Sequence, residues 1–318
     1  MNNFINICKM TQSEVKAYMK NYLTDLKYNV IDEDGFLYAK GDNPVLLVAH
    51  MDTVHKEKCA EIDLKDGRIS SPQGIGGDDR CGIWIISQIV KEKHCSVLLC
   101  EDEEIGTVGA RKFIKTDYIN NLDVNYMIEF DRKGNSDAVF YSCDNAEWTD
   151  FVVDATGFVE SNGSFSDISV LMPAAKIAGV NLSSGYYNAH SKTEYVIMVD
   201  MEMTVNAALA MIEAECEEPF EYVAKKYNYS WSSLHTPSLK GSGTYQYNFL
   251  HDDMFQKEDR AEVALMDTDI ELEVIIPDEL RTETVAYVTG KTKADCWMKF
   301  FLQHPDYCFD DIIDYSWN

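Results

Sequence analysis

Apolar and polar segments alternate along the first two thirds of the chain in a way that predicts strands separated by helices. Thr11 and Glu14 form a capping-box pattern that begins an amphipathic helix over residues 11–26. Short apolar runs predict strands at 28–31, 36–39, 45–49, 96–100, 125–130 and 174–181, and apolar residues at helical spacing predict helices at 81–90, 108–114 and 203–215. This alternation is typical of an α/β protein with helices on both faces of its sheet.

The character of the sequence changes after residue 217. A polar stretch rich in Tyr and Ser covers residues 222–247, strand-like alternation follows at 271–276 and 284–288, and residues 294–303 have helical spacing. We therefore predict a main domain over residues 1–220 and a small, acidic α+β module of unknown role over residues 221–318.

Composition and charge exclude several functions. The 54 acidic residues outnumber the 28 basic residues, so the formal charge is −26. Such a chain repels phosphate backbones and anionic lipid, so we expect no nucleic-acid partner and no membrane partner. We expect no membrane-spanning segment and no signal peptide, because no apolar run is long enough to span a bilayer and residues 1–10 lack an apolar core. The nine cysteines lack regular spacing and are interpreted as reduced thiols, which predicts a cytoplasmic protein.

Acidic or histidine residues follow three of the predicted buried strands at the point where each strand ends. His50 and Asp52 follow one strand, the acidic run 101–104 follows another, and Asp131 follows a third. In open α/β sheets, chemistry gathers beyond the carboxyl ends of the strands. Each cluster alone could be a solvated turn or a helix cap, but three clusters at three strand ends predict one site.

Two further segments add candidate ligands. A glycine-rich stretch places Asp78 before a predicted helix, and His190 lies after a Tyr-containing loop. The set has the order His, Asp, Glu, Asp, His, which supplies the nitrogen and oxygen ligands that Zn²⁺ uses. Two ions about 3.5–4 Å apart need a bridging carboxylate, and another carboxylate must remain free as a general base.

Five segments resemble, in the same order, the motifs of the dinuclear zinc exopeptidases: HMDTV at 50–54, GGDDR at 76–80, DEEIG at 102–106, FD at 130–131 and YNAH at 187–190. This clan includes peptidase T-like tripeptidases, dipeptidases, carboxypeptidase-like enzymes and single-domain zinc aminopeptidases. The resemblance covers about residues 30–215. It implies a three-layer α/β/α, phosphorylase/hydrolase-like fold with a mixed, mostly parallel central sheet, in which residues 1–220 are a zinc peptidase catalytic domain.

The resemblance also implies roles for individual residues. The implied metal ligands are His50, Asp78 and Asp131 for one ion and Asp78, Glu104 and His190 for the other. Asp52 would hydrogen-bond to His50, Glu103 would be the general base, and the peptide bond from Asp78 to Asp79 would be cis. The implied cofactors are two divalent metal ions, Zn²⁺ in the first place, with Co²⁺ or Mn²⁺ as alternatives.

One departure from the clan concerns the lid. Two-domain members insert a lid or dimerisation domain between the fourth and fifth ligands, whereas Asp131 and His190 are only 59 positions apart here. This spacing is too short for the insertion, so the layout is similar to that of the single-domain aminopeptidases.

The function implied by the resemblance is metal-dependent hydrolysis of peptide or related amide bonds. We predict an exopeptidase of the aminopeptidase type, because the charge of −26 and the acidic rim of Glu101, Asp102 and Asp131 would attract a substrate ammonium group. The expected partner is a peptide or an amino-acid amide. Arg132 and Tyr187 are predicted substrate contacts, with Arg80 and Tyr186 as further candidates.

Alternatives remain at this stage. The same chemistry would serve a dipeptidase or an N-deacylase, and a non-catalytic metal-binding scaffold could carry the same ligands. An acidic protein whose charge runs are simply solvated would bind no stoichiometric metal. The sequence leaves open whether the chain forms a homo-oligomer.

Overall fold

The structure, a computed structural model, describes residues 2–65, 67–214, 216 and 218–225. Farther along the chain it describes the backbone of three strands. The chain divides into two compact units, residues 1–226 and residues 227–318. The prediction of a zinc peptidase catalytic domain over residues 1–220 and an acidic α+β module of unknown role over residues 221–318 stays a prediction.

The first unit consists of strands and helices in alternation. Its strands are β1 (Val30–Glu33), β2 (Phe36–Ala39), β3 (Asn43–His50), β4 (Asp63–Lys65), β5 (Arg68–Ser70), β6 (Cys95–Cys100), β7 (Tyr126–Arg132), β8 (Asp137–Val139), β9 (Val159–Ser161), β10 (Gly179–Ser183), β11 (Tyr186–Tyr187) and β12 (Tyr195–Ile197). Its helices are α1 (Asn2–Cys8), α2 (Gln12–Asp25), α3 (Gly77–Ile89), α4 (Val108–Phe113), α5 (Asp117–Asn120), α6 (Ala146–Thr156), α7 (Asp167–Ala175) and α8 (Met198–Glu213).

The main sheet has eight strands in the order β1-β2-β6-β3-β7-β10-β8-β9. The four central strands β6, β3, β7 and β10 run parallel to one another, and antiparallel pairs occur toward both edges. α3 packs on β3 and β7 and contacts α1 and α8, while α7 packs on the same two strands and contacts α4 and α5. The predicted α/β class with a mixed, mostly parallel sheet is confirmed.

The central strands are buried because they are almost wholly apolar. Every residue of β6 is buried, as are the last six residues of β3, as expected of parallel strands covered on both faces. Since β6, β3 and β7 are adjacent and parallel, their carboxyl ends lie side by side at the same end of the sheet. His50 ends β3 and Asp131 lies one residue before the end of β7, so this packing brings them together.

A second, antiparallel sheet has the order β11-β12-β5-β4. Ile69 of β5 pairs with Val196 of β12, and both side chains are buried. The loop between β11 and β12 carries His190. We did not predict this sheet, because its strands have only two or three residues and show no extended alternation.

The second unit contains a three-stranded antiparallel sheet with the order β14-β13-β15, made of β13 (Ile270–Pro277), β14 (Glu283–Gly290) and β15 (Asp314–Trp317). The strands predicted at 271–276 and 284–288 coincide with β13 and β14. The helix predicted at 294–303 lies outside the described residues.

One predicted strand, 174–181, is wrong at its start. α7 continues to Ala175 with Pro173 inside it, and β10 begins only at Gly179. Pro173 has no N–H to donate, yet the helix continues two residues beyond it. None of the described helices is long and apolar enough to cross a membrane.

Candidate active site

The structure brings the five predicted metal ligands into two overlapping groups. Ligand atoms of His50, Asp78 and Asp131 lie within 4.8 Å of one another, as do those of Asp78, Glu104 and His190. Asp78 belongs to both groups. We call His50 and Asp131 the buried half of the cluster, and Glu104 and His190 the loop half.

Four distances describe the cluster around Asp78. Its Oδ1 lies 3.0 Å from His50 Nε2, and its Oδ2 lies 3.1 Å from His190 Nε2. His50 Nε2 is 3.6 Å from Asp131 Oδ1, and His190 Nε2 is 3.2 Å from Glu104 Oε1. Two ligand atoms bound to one tetrahedral Zn²⁺ at about 2.0–2.1 Å would be about 3.3–3.4 Å apart. The spacing therefore fits two ions that share Asp78.

The donor chemistry also fits cations. Three carboxylates converge on two imidazoles, and Glu104 Oε1 is buried without a hydrogen bond, although His190 Nε2 lies nearby. A buried carboxylate oxygen without a partner is costly. A divalent ion coordinated by this oxygen would remove that cost and would balance the charge of the carboxylates.

The pKa values of the cluster residues also indicate that the site favours positive charge. Burial raises the pKa values of Glu104 and Asp131, and the negative charge of Asp78 raises them further. Contacts with the carboxylates of Asp78 and Glu104 raise the pKa of His190 to about 11. Burial opposes a charged His50, but contacts with Asp131, Asp52 and Asp78 raise its pKa well above the ordinary value. The carboxylates around the two imidazoles thus favour their protonated form.

Asp52 organises both halves of the cluster. Its Oδ1 lies 3.1 Å from His50 Nδ1 and also accepts a hydrogen bond from the backbone N–H of Glu103 at 3.0 Å. Its Oδ2 accepts from the backbone N–H of Glu104 at 3.1 Å. An ionised Asp52 can only accept, so His50 Nδ1 carries a proton and Nε2 is directed at Asp78 and Asp131.

The backbone at the start of α3, where Asp78 lies, has an unusual conformation. The peptide bond from Asp78 to Asp79 is cis, the form that the resemblance implies. Asp79 is fully buried, and it accepts hydrogen bonds from the backbone N–H groups of Gly82 at 2.8 Å and His50 at 3.2 Å. Asp79 therefore ties the beginning of α3 to the end of β3.

Glu103 lies beside these ligands on the turn that Asp52 holds. Within the described part of the chain, nothing donates a hydrogen bond to its carboxylate. Burial raises its pKa well above the ordinary value, and the charge of His50 opposes that effect. A carboxylate with these properties can accept and release a proton near neutral pH.

The two predicted substrate contacts have internal partners. Arg132 follows Asp131 on β7, so its side chain points to the opposite side of the strand, where it forms an ion pair with Asp137 at 3.0 Å. Tyr187 donates a hydrogen bond to Asp200 at 2.6 Å, whereas its neighbour Tyr186 donates to Asp131 at 3.2 Å. The roles predicted for Arg132 and Tyr187 stay predictions, but Tyr186 is the tyrosine that reaches the cluster.

Arg80, the other candidate substrate contact, is 3% exposed. Its guanidinium donates hydrogen bonds to the backbone carbonyls of Met51 at 2.6 Å and Met10 at 3.1 Å. These contacts join the N-terminal segment to the chain after β3, which is a structural role.

Two residues that support Asp131 were missed in the sequence. Ser166 Oγ lies 2.6 Å from Glu129 Oε2 and 3.0 Å from Asp131 Oδ2. Glu129 precedes Asp131 by two positions on β7, so their side chains share one face. That spacing was a usable signal for Glu129, but Ser166 is 35 positions away from Asp131 and gave none.

The fold and the cluster together define a class: the chain has the fold of the dinuclear zinc exopeptidases, and the resemblance carried by the motifs is confirmed at the level of the fold. The aminopeptidase PepT from Bacillus cereus ATCC 10987 is similar, with a TM-score of 0.57 and 16% identity over 66% of this chain and 96% of that chain. A tripeptidase from Staphylococcus aureus subsp. aureus Mu50 has a TM-score of 0.54 and 13% identity over the same shares. No protein-family model and no curated protein sequence matches the chain.

Proposed function

We propose that the protein is a metal-dependent peptidase, an exopeptidase of the aminopeptidase type. One observation carries the proposal: two ligand groups share Asp78, and the carboxylate of Glu103 lies beside them without a hydrogen-bond donor among the described residues. A site that only stored metal would need the ligands but not a free carboxylate.

The residues of the site would have different roles in metal binding, proton transfer and positioning. His50, Asp78 and Asp131 would hold one divalent ion, and Asp78, Glu104 and His190 the other. Such ions polarise the scissile carbonyl and lower the pKa of the attacking water toward about 7. Glu103 takes the proton of that water on its carboxylate and delivers it to the nitrogen of the leaving amine. Asp52 keeps His50 in the required tautomer, and Tyr186 steadies Asp131.

The preference for a free amino end rests on charge. The protein carries a formal charge of −26, which already includes the three carboxylates of the cluster. Glu101 and Asp102 contribute less than their position in the sequence suggested, because Glu101 forms an ion pair with Lys16 at 3.0 Å and Asp102 accepts a hydrogen bond from Gln12 at 3.0 Å. Two bound divalent ions would balance the carboxylates of the cluster, so attraction of the substrate ammonium would come mainly from the net charge of the protein.

The decisive experiment is Glu103→Gln in the Zn²⁺-loaded protein. We expect the metal content to be unchanged, because Glu103 is not a ligand, and kcat to fall by about 10²–10⁴-fold, because the proton acceptor is lost. Elemental analysis and hydrolysis of aminoacyl anilides measure the two quantities. Asp102→Asn is the matched control: it removes a neighbouring charge at a left-handed backbone position that Asn tolerates, and it should keep wild-type activity. Full activity of Glu103→Gln would refute the mechanism.

A panel of peptides blocked at one end tests the specificity. We expect N-acetylation to abolish hydrolysis and C-terminal amidation to be tolerated. The reverse pattern would indicate a carboxypeptidase, and cleavage of only acylated amino acids would indicate an N-deacylase. A wild-type protein that binds no stoichiometric metal would remove the peptidase assignment altogether.

A further inference from the structure

Glu194 is a buried carboxylate close to the cluster that has no part in the chemistry proposed above. It is 0% exposed, and it ends the loop that carries His190. Its Oε2 accepts a hydrogen bond from the backbone N–H of Gly76 at 2.9 Å, and its Oε1 accepts one from the backbone N–H of Asp78 at 3.1 Å. His55 Nε2 lies 2.8 Å from Oε2.

A buried carboxylate is costly unless several donors satisfy it. Here the donors come from chain segments far from Glu194 in sequence, and two of them are backbone groups at the start of α3. Gly76 has a left-handed backbone with φ of 66°, which places its N–H and that of Asp78 around the same carboxylate. The side chain therefore joins the segment that carries Asp78 to the loop that carries His190.

The buried half of the cluster is held by other contacts. Asp79 accepts a hydrogen bond from the backbone of His50, and Asn181 accepts one from the backbone N–H of Asp131 at 2.8 Å. None of these bonds involves Glu194. The loop half has fewer supports of this kind, because His190 lies in a loop and its side chain is 52% exposed.

We infer that Glu194 is a positioning residue that fixes Asp78 and the His190 loop relative to each other, so that the ligand group of Asp78, Glu104 and His190 is formed before a metal ion arrives. The inference rests on the proposed function, because it assumes that this group binds a metal ion. Partners that orient ligands commonly contribute about 10–100-fold to metal affinity.

Glu194→Gln tests the inference with little change in shape. The amide NH₂ would face a backbone N–H, so at least one hydrogen bond is lost and the charge disappears. Titration of the metal-free protein with Zn²⁺, followed by calorimetry, should show two binding steps in the wild type. In Glu194→Gln we expect one step to weaken by about 10–100-fold and the other, which shares Asp78, to weaken less. Lys192→Ala, in the same loop, is the matched control and should bind like the wild type.

Kinetics at two metal concentrations add a readout that a purely structural role would not change. Because Glu194 does not touch the reacting atoms, saturating Zn²⁺ should return kcat of Glu194→Gln close to the wild-type value with KM unchanged, whereas limiting Zn²⁺ should not. A lower melting temperature of the metal-free variant combined with wild-type Zn²⁺ affinity would overturn the inference, since Glu194 would then only stabilise the fold.

The outcomes separate the inference from the proposed function. If the wild type binds two ions and Glu194→Gln binds both equally well, the inference fails and the proposed function stands. If the wild type binds no metal, both fail. Should Glu194→Gln not fold, His55→Ala removes one partner of the carboxylate and should weaken the same step to a smaller extent, and unchanged binding in that variant would overturn the inference.

Discussion

The two halves of the cluster are built differently. His50 and Asp131 lie at the ends of adjacent central strands, and their side chains are 1% and 10% exposed. Glu104 and His190 lie in loops, and His190 also has a left-handed backbone with φ of 59°. Asp78 connects the halves with one oxygen directed to each histidine.

This difference shows how a fold can place two ligands of one candidate metal site at the ends of its sheet strands, whereas the two ligands of the loop half need additional side-chain contacts. The parallel sheet fixes the buried half, because the strand ends cannot move without breaking the sheet. The loop half depends on single side chains such as Asp52 and Glu194, which accept hydrogen bonds from backbone groups around the ligands. Segments held by a few bonds open more readily than sheet strands, so metal exchange should begin at the loop half.

The largest effect is expected from Asp78→Asn, which acts on both halves at once. An amide bridges two cations poorly because one of its two polar atoms is a donor. We expect both binding steps to be lost and hydrolysis to fall to the level of the metal-free protein, as measured by Zn²⁺ titration and a peptide assay. Retention of one ion at wild-type affinity would show that the halves do not depend on a shared ligand.

A chelator should remove the ions of the two halves at different rates. A chromogenic chelator added to the Zn²⁺ protein should remove one ion quickly and the other slowly, because His190 of the loop half is 52% exposed whereas His50 and Asp131 of the buried half are 1% and 10% exposed. His190→Asn should retain the slow phase and lose the fast one, while His50→Asn should lose the slow phase. A single phase of equal rate for both ions would contradict the comparison.

The smallest effects are expected from the paired tyrosines of β11. Tyr186→Phe removes a hydrogen bond to Asp131, so we expect kcat/KM to fall by about fivefold, the equivalent of about 1 kcal/mol. Tyr187→Phe removes the bond to Asp200 on the other side of the strand. It should lower the free energy of unfolding by about 1 kcal/mol without changing kcat/KM. If Tyr187→Phe lowered kcat/KM more than Tyr186→Phe does, the result would support the substrate contact predicted for Tyr187 from the sequence.

The sequence was informative wherever chemistry and strand ends coincide. His50, Asp131 and the acidic run after β6 lie at the ends of long apolar strands, so their meeting follows from parallel packing alone. The order of the motifs added Asp78 and His190, which strand patterns cannot place.

Other features depend on tertiary contacts that leave no local pattern. Glu194 resembles any loop acid until the fold brings Gly76 and Asp78 to it, across 118 and 116 positions. The bonds from Asp52 to the backbone of Glu103 and Glu104 span 51 and 52 positions. Tyr186 and Tyr187 are identical in type, and only the alternation of β11 decides which one faces the cluster.

The shared carboxylate of Asp78 has a thermodynamic consequence. An ion held by one of its oxygens restricts the rotation of the whole side chain and changes the charge that a second ion would meet. Filling either position must therefore alter the affinity of the other, and by the same factor in both directions. The metal occupancy should therefore follow a cooperative or anticooperative curve rather than two independent hyperbolae. The proposed activity would then depend non-linearly on the concentration of free metal ions.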